Sequence, residues 1–350
     1  MIDRMESVRM IRDSVGAIAS PTGDLRRIRA LRTDSVGIER AVWQRIVELG
    51  WLALLVDEDS GGLGLGAREL AAIGEELGAA LIPEPVIAVA AMMPLLDRSI
   101  RERVLSGTMI VVPAWRETIV GLDETPRTVA AGGTVTGCKI LVANVAAADA
   151  FVVTTASGAV MVERDAPGVA FELYRMVDGG QSGTLTMIDA PCTTLDGDVR
   201  AALHGLALAH CGYLLGAAER AFAMTLGYLA IRKQFGRLIG SFQVLQHRAA
   251  EAKIQLALSR AVLDEAIGDV ERQADRAEQL RSGSRALARV SDTAMLIARE
   301  AVQMHGAIGI TDENDIGLYC RKILSIYNQF GTASANRSRY LASLHPEMAA

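Results

Sequence analysis

The chain has 350 residues, half of them hydrophobic and 4% aromatic, with 36 basic against 41 acidic side chains and a net charge of −5. That length and apolar content suit two or three packed regions with a sizeable core, and the low aromatic share favours helix packing by small aliphatic side chains. The acidic balance, with basic residues scattered among acids, gives no footprint for nucleic acid.

The N-terminal Met-Ile-Asp-Arg-Met-Glu-Ser lacks a basic stretch followed by an apolar run, so no secretory signal is expected. Residues 1–106 read as a helical region. Ala41–Leu49 carries apolar residues at helical spacing and is followed by Gly50. Arg68–Leu77 repeats the pattern and stops at Gly78, a C-cap position. Pro83 and Pro85 punctuate the approach to an apolar helix at Val86–Leu96. In between, Gly62-Leu-Gly-Leu-Gly-Ala67 matches the loose G-x-G-x-x-A dinucleotide fingerprint. The residues after Ala67 read as helix and a Pro-rich turn, without the second strand and acidic residue of a βαβ unit, so a nicotinamide site is not expected there.

From 107 to 196 the texture changes. Met109–Val112, Thr134–Thr136, Phe151–Thr155, Ala159–Val162 and Thr184–Ile188 are short runs rich in β-branched residues, separated by Gly, Asp and Pro clusters. Their spacing is that of an antiparallel sheet or barrel. From 197 to 350 long amphipathic patterns take over: Leu245, Ala249, Ala252, Leu256, Leu263, Ala266 and Val270 fall on one helix face. Arg281–Gln303 and Gly317–Leu344 continue in the same manner. Blocks in the order helix, sheet, helical bundle predict an α+β fold rather than alternating βαβ units.

No run reaches the roughly 18 uncharged apolar residues of a membrane span. Val86–Leu96 is too short, and Leu203–Ala218, which carries His204 and His210, fits a buried helix better. Cys138, Cys192, Cys211 and Cys320 are far apart with no Cys-x-x-Cys, and the five histidines are equally dispersed. Free thiols in a reducing cytoplasm are expected, without a disulfide framework or metal site.

The most informative stretch runs from Arg232 to Gln246, Arg-Lys-Gln-Phe-Gly-Arg-Leu-Ile-Gly-Ser-Phe-Gln-Val-Leu-Gln. It is a Gly-punctuated turn between two helical patterns. Gly236 and Gly240 permit tight backbone, while Arg232, Gln234 and Gln243 put a charge and two amides where an anionic ligand could be held. On residue chemistry alone, an ordinary helix–helix connection with solvated side chains explains it as well. The segment resembles the Arg-x-x-Phe-Gly…Phe-Gln…Gln signature of the acyl-CoA dehydrogenase flavoprotein family. Three further motifs keep that family's order. Leu49–Gly64 ends in a turn similar to its N-terminal Gly-Gly-x-Gly. Val135–Asn144, with Ala148–Val153 after it, is similar to its middle-sheet hairpin. Gln303-Met-His-Gly-Ala-Ile-Gly309 resembles the Gln-x-x-Gly-Gly-x-Gly turn of its C-terminal bundle. The resemblance covers nearly the whole chain. It implies an N-terminal helical domain (1–106), a middle antiparallel β domain (107–196) and a C-terminal four-helix bundle (197–350). It also implies FAD, an acyl-CoA and an electron-transfer-flavoprotein-like acceptor.

The same resemblance marks what is altered. The family's reaction removes the α-proton of a thioester while a hydride leaves the β-carbon for the flavin, and the proton needs a carboxylate base. That base is usually the Glu of Tyr-Glu-Gly-Thr; here the matching stretch is Gln329-Phe330-Gly331-Thr332, so Phe330 stands in the base position. Some branched-chain members carry the base on the helix before the Arg-x-x-Phe-Gly turn. With Gly216 matching a family glycine, that position falls on Leu206 and the adjacent family arginine on Ala207. Glu219, nearby on that helix, is a weak candidate, weighed against a solvated surface charge flanked by Arg220. The flavin-facing Thr-Glu-x-x-x-Gly-Ser-Asp appears as Arg116–Asp123, with Arg116 and Leu122 in place of hydroxyls, and the usual Trp-x-Thr/Ser appears as Leu141-Val142-Ala143. Poor binding of the flavin ring in the chain's own pocket is expected.

Arg232, Gln234, Phe235, Phe242, Gln243, Gln303 and Gly306, by contrast, match family positions that hold the pyrophosphate and adenine of FAD bound mainly by the adjoining subunit. Thr332 is a further candidate contact. The resemblance therefore implies a subunit like the base-less ones of heteromeric actinobacterial acyl-CoA dehydrogenases of sterol side-chain degradation. It would complete the FAD site of a catalytic paralogue in a heterotetramer. Two alternatives stay open: an independent FAD-dependent acyl-CoA dehydrogenase with an unorthodox base, and a non-enzymatic helical scaffold that keeps oligomerisation surfaces alone.

Overall fold

The structure, a computed structural model, describes residues 4–20, 23–119, 122 and 125–344. Asp123, the last residue of the flavin-facing pattern, lies outside the described residues, as do Val120 and Gly121. The architecture is α+β, in the order helix, sheet, helix. Helices come first: α1 (Arg4–Ser14), α2 (Arg26–Leu31), α3 (Arg40–Glu48), α4 (Ala67–Ala79), α5 (Val86–Met92) and α6 (Arg98–Leu105). Strands come next: β1 (Val111–Ala114), β2 (Val129–Ala131), β3 (Thr134–Ala143), β4 (Ala150–Thr155), β5 (Gly158–Glu163), β6 (Val169–Arg175), β7 (Gln181–Pro191) and β8 (Thr193–Leu195). The long helices α7 (Val199–Ile231), α8 (Gln243–Glu271) and α9 (Arg276–His305) close the chain with α10 (Ile316–Ile326) and α11 (Ala333–Leu344); a two-strand hairpin, β9 (Lys233–Gln234) and β10 (Arg237–Leu238), separates α7 from α8.

Among the described residues, one compact unit draws on 4–20, 26–70 and 83–206, and the other on 23–25, 71–82 and 207–344. The first contains two four-stranded sheets, ordered β1-β4-β5-β8 and β2-β3-β7-β6. They face each other through Phe151 on β4 and Phe171 on β6, ring centroids 5.7 Å apart. Pairing is antiparallel except between β1 and β4, which run parallel. That exception corrects the all-antiparallel expectation. Between β1 and β4 the chain passes through β2 and β3 of the other sheet, and a long crossover of this kind returns a strand in the same direction. β4 is buried along its whole length, as a central strand should be. The strands that periodicity misses, β2, β6 and β8, are sheet edges, where one side needs no apolar residues.

The Gly62–Gly66 stretch is a loop leading into α4 at Ala67, and the apolar run before it forms a 3-10 turn (Trp51–Ala53) rather than a strand. Gly62 packs against the Val56 carbonyl, so its small size serves a tight turn. No dinucleotide-binding βαβ unit stands there.

In the second unit the end of α4 crosses α7 at van der Waals range. Gly74 and Gly78 lie against the Ala209 and Tyr213 carbonyls, and Gly212 and Gly216 against those of Ala71 and Glu75. A side chain at any of the four would strike backbone. Gly78 is therefore a packing glycine inside α4 and not the helix cap its local sequence suggests. α8 buries Ala252, Leu256, Leu263 and Ala266, while α9 buries Ala286, Leu287, Val290, Ala294 and Ile297. α7 has the length and composition of a membrane span, but 83% of its most apolar window is buried within the protein, as in a core helix.

Candidate functional site

The Arg232–Gln243 segment leaves α7 as a tight hairpin. Gln234 pairs with Arg237 and Lys233 with Leu238, and the Ile239 N–H donates to the Arg232 carbonyl at 2.9 Å. The two turn residues, Phe235 and Gly236, both have positive φ (51° and 77°), as a two-residue primed turn requires. Glycine accepts this freely. Phenylalanine there costs about 1–2 kcal/mol, and its ring is 90% exposed. A strained, solvent-facing aromatic at the tip of a basic hairpin is the kind of outlier that points to a ligand or partner.

Arg232, Gln234 and Gln243 are exposed, and Phe242 is half-buried. The Phe242 ring meets Phe235 edge-on at 6.1 Å and carries the Arg237 guanidinium 3.9 Å from its centroid. Arg237 was not among the expected site residues, although it stands inside the same motif; its part is visible once the hairpin folds it back over Phe242. Gln303 is exposed two residues before the end of α9, and Gly306 turns the chain at φ 68°, open to solvent. Hairpin and α9 terminus thus offer a guanidinium, amides and bare backbone, a donor set that fits a pyrophosphate and an adenine.

The base positions are closed. Phe330 is 1% exposed and packs edge-on to His210, centroids 5.1 Å apart. His210 Nε2 is 3.0 Å from the Ile326 carbonyl. Leu206 is 4% exposed and Ala207 is fully buried. Thr332 caps α11, its hydroxyl oxygen accepting the Ala335 N–H at 3.1 Å. Glu219 lies 2.9 Å from Arg260 of α8, which also pairs with Glu75 of α4. The flanking arginine is therefore Arg260, 41 residues on, and not the adjacent Arg220. Burial works against the Arg260 charge, but the two carboxylates raise its pKa above the ordinary value.

The positions that match the family's flavin-facing patterns lie in the β unit. Arg116 is buried, its guanidinium 5.5 Å from the Trp115 ring centroid. Leu141 sits at a β-bulge with φ 53°, its N–H donating to the Tyr174 hydroxyl at 3.1 Å, and Ala143 is exposed. Beside them lies a buried ion pair between residues of two of the motifs. Lys139, fully buried, donates to Glu117 at 2.6 Å and to the Thr154 hydroxyl at 3.0 Å. Glu117 also accepts the Thr128 hydroxyl at 2.7 Å and the Arg127 and Thr128 N–H groups. Burial pushes its pKa up, but these donors outweigh it and hold it at about 2. Burial pulls Lys139 below the ordinary lysine value. Glu117, but not Lys139, lines a cleft of about 300 Å³ with Trp115, Ser157, Asp198 and Arg200.

Residues 5–100 match the acyl-CoA dehydrogenase N-terminal domain and residues 198–344 the acyl-CoA dehydrogenase C-terminal domain. The acyl-CoA dehydrogenase IpdE2 of Mycolicibacterium smegmatis is 31% identical over 323 residues, which cover 91% of this chain and 92% of that one. Among solved structures, a Tcur3481-Tcur3483 steroid ACAD variant superposes with a TM-score of 0.90 at 25% identity, covering 99% of both chains. The ChsE4-ChsE5 complex of Mycobacterium tuberculosis does so at 0.83 and 24%, over 97% of this chain and 96% of that one, a likeness of fold alone. With both terminal domains matched and a relative aligned over nine-tenths of each chain, this chain belongs to the acyl-CoA dehydrogenase family, whose members generally bind FAD.

Proposed function

We propose that the chain is the base-less half of a heteromeric acyl-CoA dehydrogenase. It completes the FAD site of a catalytic paralogue from across a subunit interface, and the assembly introduces a Cα=Cβ bond into an acyl-CoA. The observation that carries this reading is the contrast between a closed base position and an open ligand hairpin. Phe330 is buried and cannot accept a proton, whereas Arg232, Gln234 and Gln243 stand in solvent around a strained Phe235. When bound, FAD supplies the acceptor for the β-hydride. Arg232 would neutralise its pyrophosphate, Gln234, Gln243 and Gln303 would hydrogen-bond its polar edges, and Gly306 would let the backbone approach. Arg116, Leu141 and Ala143 offer no hydroxyl to a flavin ring.

Glu219 is a poor alternative base, because its carboxylate is engaged by Arg260. The steroid ACAD relative supports a bulky, steroid-derived acyl-CoA, and the two-name complexes support a partner from the same family. Electrons would leave to an electron-transfer-flavoprotein-like acceptor in the cytoplasm.

The test is the flavin spectrum of the chain purified alone. We expect a colourless protein with no acyl-CoA-dependent reduction of an artificial electron acceptor. Stoichiometric FAD that bleaches on adding an acyl-CoA would sink the proposal and establish an independent enzyme.

A further inference from the structure

The two pieces of the ligand-facing surface, the 232–243 hairpin and the Gln303–Gly306 turn, belong to different helix ends. Arg232 comes directly after α7, Gln243 opens α8, and Gln303 and Gly306 close α9. Their mutual spacing is set by whatever fixes those three ends, and two contacts do so. Tyr228 lies one turn before Arg232, whose N–H donates to the Tyr228 carbonyl at 3.0 Å. Its ring stacks on His305, with centroids 4.5 Å apart and planes 19° from parallel. His305 is the last residue of α9, between Gln303 and Gly306, and is 6% exposed.

The imidazole is held on its other sides as well. Nδ1 donates to the Ala301 carbonyl at 2.8 Å, and Gly309 packs against the base of the side chain so tightly that a Cβ there would lie 2.9 Å from that of His305. The second contact is a fork. Arg248 Nε and Nη2 donate to the two oxygens of Glu300 at 2.6 and 2.9 Å. Arg248 is five residues after Gln243 and Glu300 three before Gln303, so the fork ties the start of α8 to the end of α9. A bidentate pair fixes angle as well as distance.

We propose that Tyr228 and His305, with Arg248 and Glu300, are positioning residues that set the distance between the hairpin and the α9 turn, and through it the strength of the grip on FAD. The proposal rests on the half-site reading above. Ligand groups must be held to within about 0.5 Å by their supporting shell to act together. A flat stack and a planar fork are two rigid ways of doing so across three helices.

The test uses the complex isolated through a tag on this chain from its native host, stripped of flavin and titrated with FAD, with melting temperature measured alongside. Arg232→Ala is the control for the underlying reading and should weaken FAD binding. His305→Ala should raise the Kd for FAD about tenfold, the worth of one aromatic stack, with Tm kept within about 2 °C. His305→Phe, which preserves a flat ring, should bind FAD close to wild type. Should His305→Ala not fold, Glu300→Gln keeps the shape of the fork, and its weakened charge should raise the Kd about threefold. If Arg232→Ala weakens FAD binding and neither His305→Ala nor Glu300→Gln does, the positioning role is wrong and the half-site stands. A fall in Tm that tracks the loss of FAD also overturns it, because that marks structural support and no more. If Arg232→Ala leaves FAD binding unchanged, or no flavoprotein accompanies the tag, the half-site reading itself fails.

Discussion

The Glu117–Lys139 pair shows how much one buried contact can hold. Glu117 is ionised down to about pH 2 because Lys139, Thr128 and two backbone N–H groups outweigh its burial. A carboxyl held below its ordinary value stabilises the fold fully above that value, near 4.5, and loses the contribution as pH falls towards 2. Acid unfolding monitored by circular dichroism should show a loss in that window, and Glu117→Gln should remove it. The same variant strands a fully buried Lys139, so the urea midpoint should fall by the equivalent of about 3–5 kcal/mol; an unchanged midpoint would show that the ammonium finds another partner. In the sequence, Glu117 and Lys139 stand in two separate motifs, Arg116–Asp123 and Val135–Asn144, and nothing in either says that they pair. Their meeting depends on how the loop after β1 folds against β3, a relation with no periodic trace along the chain. Glu219 teaches the same point, since its partner Arg260 is 41 residues away along the chain. The turn between α7 and α8 is legible because it resides in a short local pattern.

At the level of elements, α4 and α7 cross through four glycines spaced four apart on each helix, 74 and 78 against 212 and 216. Gly216→Ala drives a methyl into the Glu75 carbonyl and should cost about 1–3 kcal/mol, since neither backbone can yield without moving a helix. Gly268→Ala is the same change on α8, where nothing lies within 4 Å of the new atom, and should stabilise by about 0.5–1 kcal/mol. Urea denaturation of the two variants should give shifts of opposite sign; equal signs would mean that the crossing is looser than its close contacts imply. A glycine ending a periodic run looks alike whether it caps a helix or admits a neighbour, which is why the sequence around Gly78 suggests a cap. The parallel β1–β4 pair escapes for a related reason: strand composition reveals a strand but not the direction of its neighbour. The long helices and inner strands are readable because each must keep one face apolar over many residues.

For the molecule as a whole, the unit that contains the bundle is discontinuous. Residues 71–82 supply it with Gly74, Gly78, the Glu75 partner of Arg260, and carbonyls at Ala79 and Ile82 that accept the Tyr319 and Tyr213 hydroxyls at 2.7 and 3.1 Å. A fragment beginning at Ala207 has all of α8 to α11 and none of these. We expect it to be helical by circular dichroism, to bind a hydrophobic dye and to melt without a cooperative transition; a sharp two-state melt would show that 71–82 is dispensable.

The crossing of α4 on α7 also sets a clock on synthesis. A ribosome adds roughly 5–20 residues per second, so the stretch of about 140 residues from Gly78 to Gly216 takes roughly 7–28 s to emerge. Through that interval the bare glycine ridge of α4 and the carboxylate of Glu75 have left the tunnel while the helix they are shaped for has yet to be made.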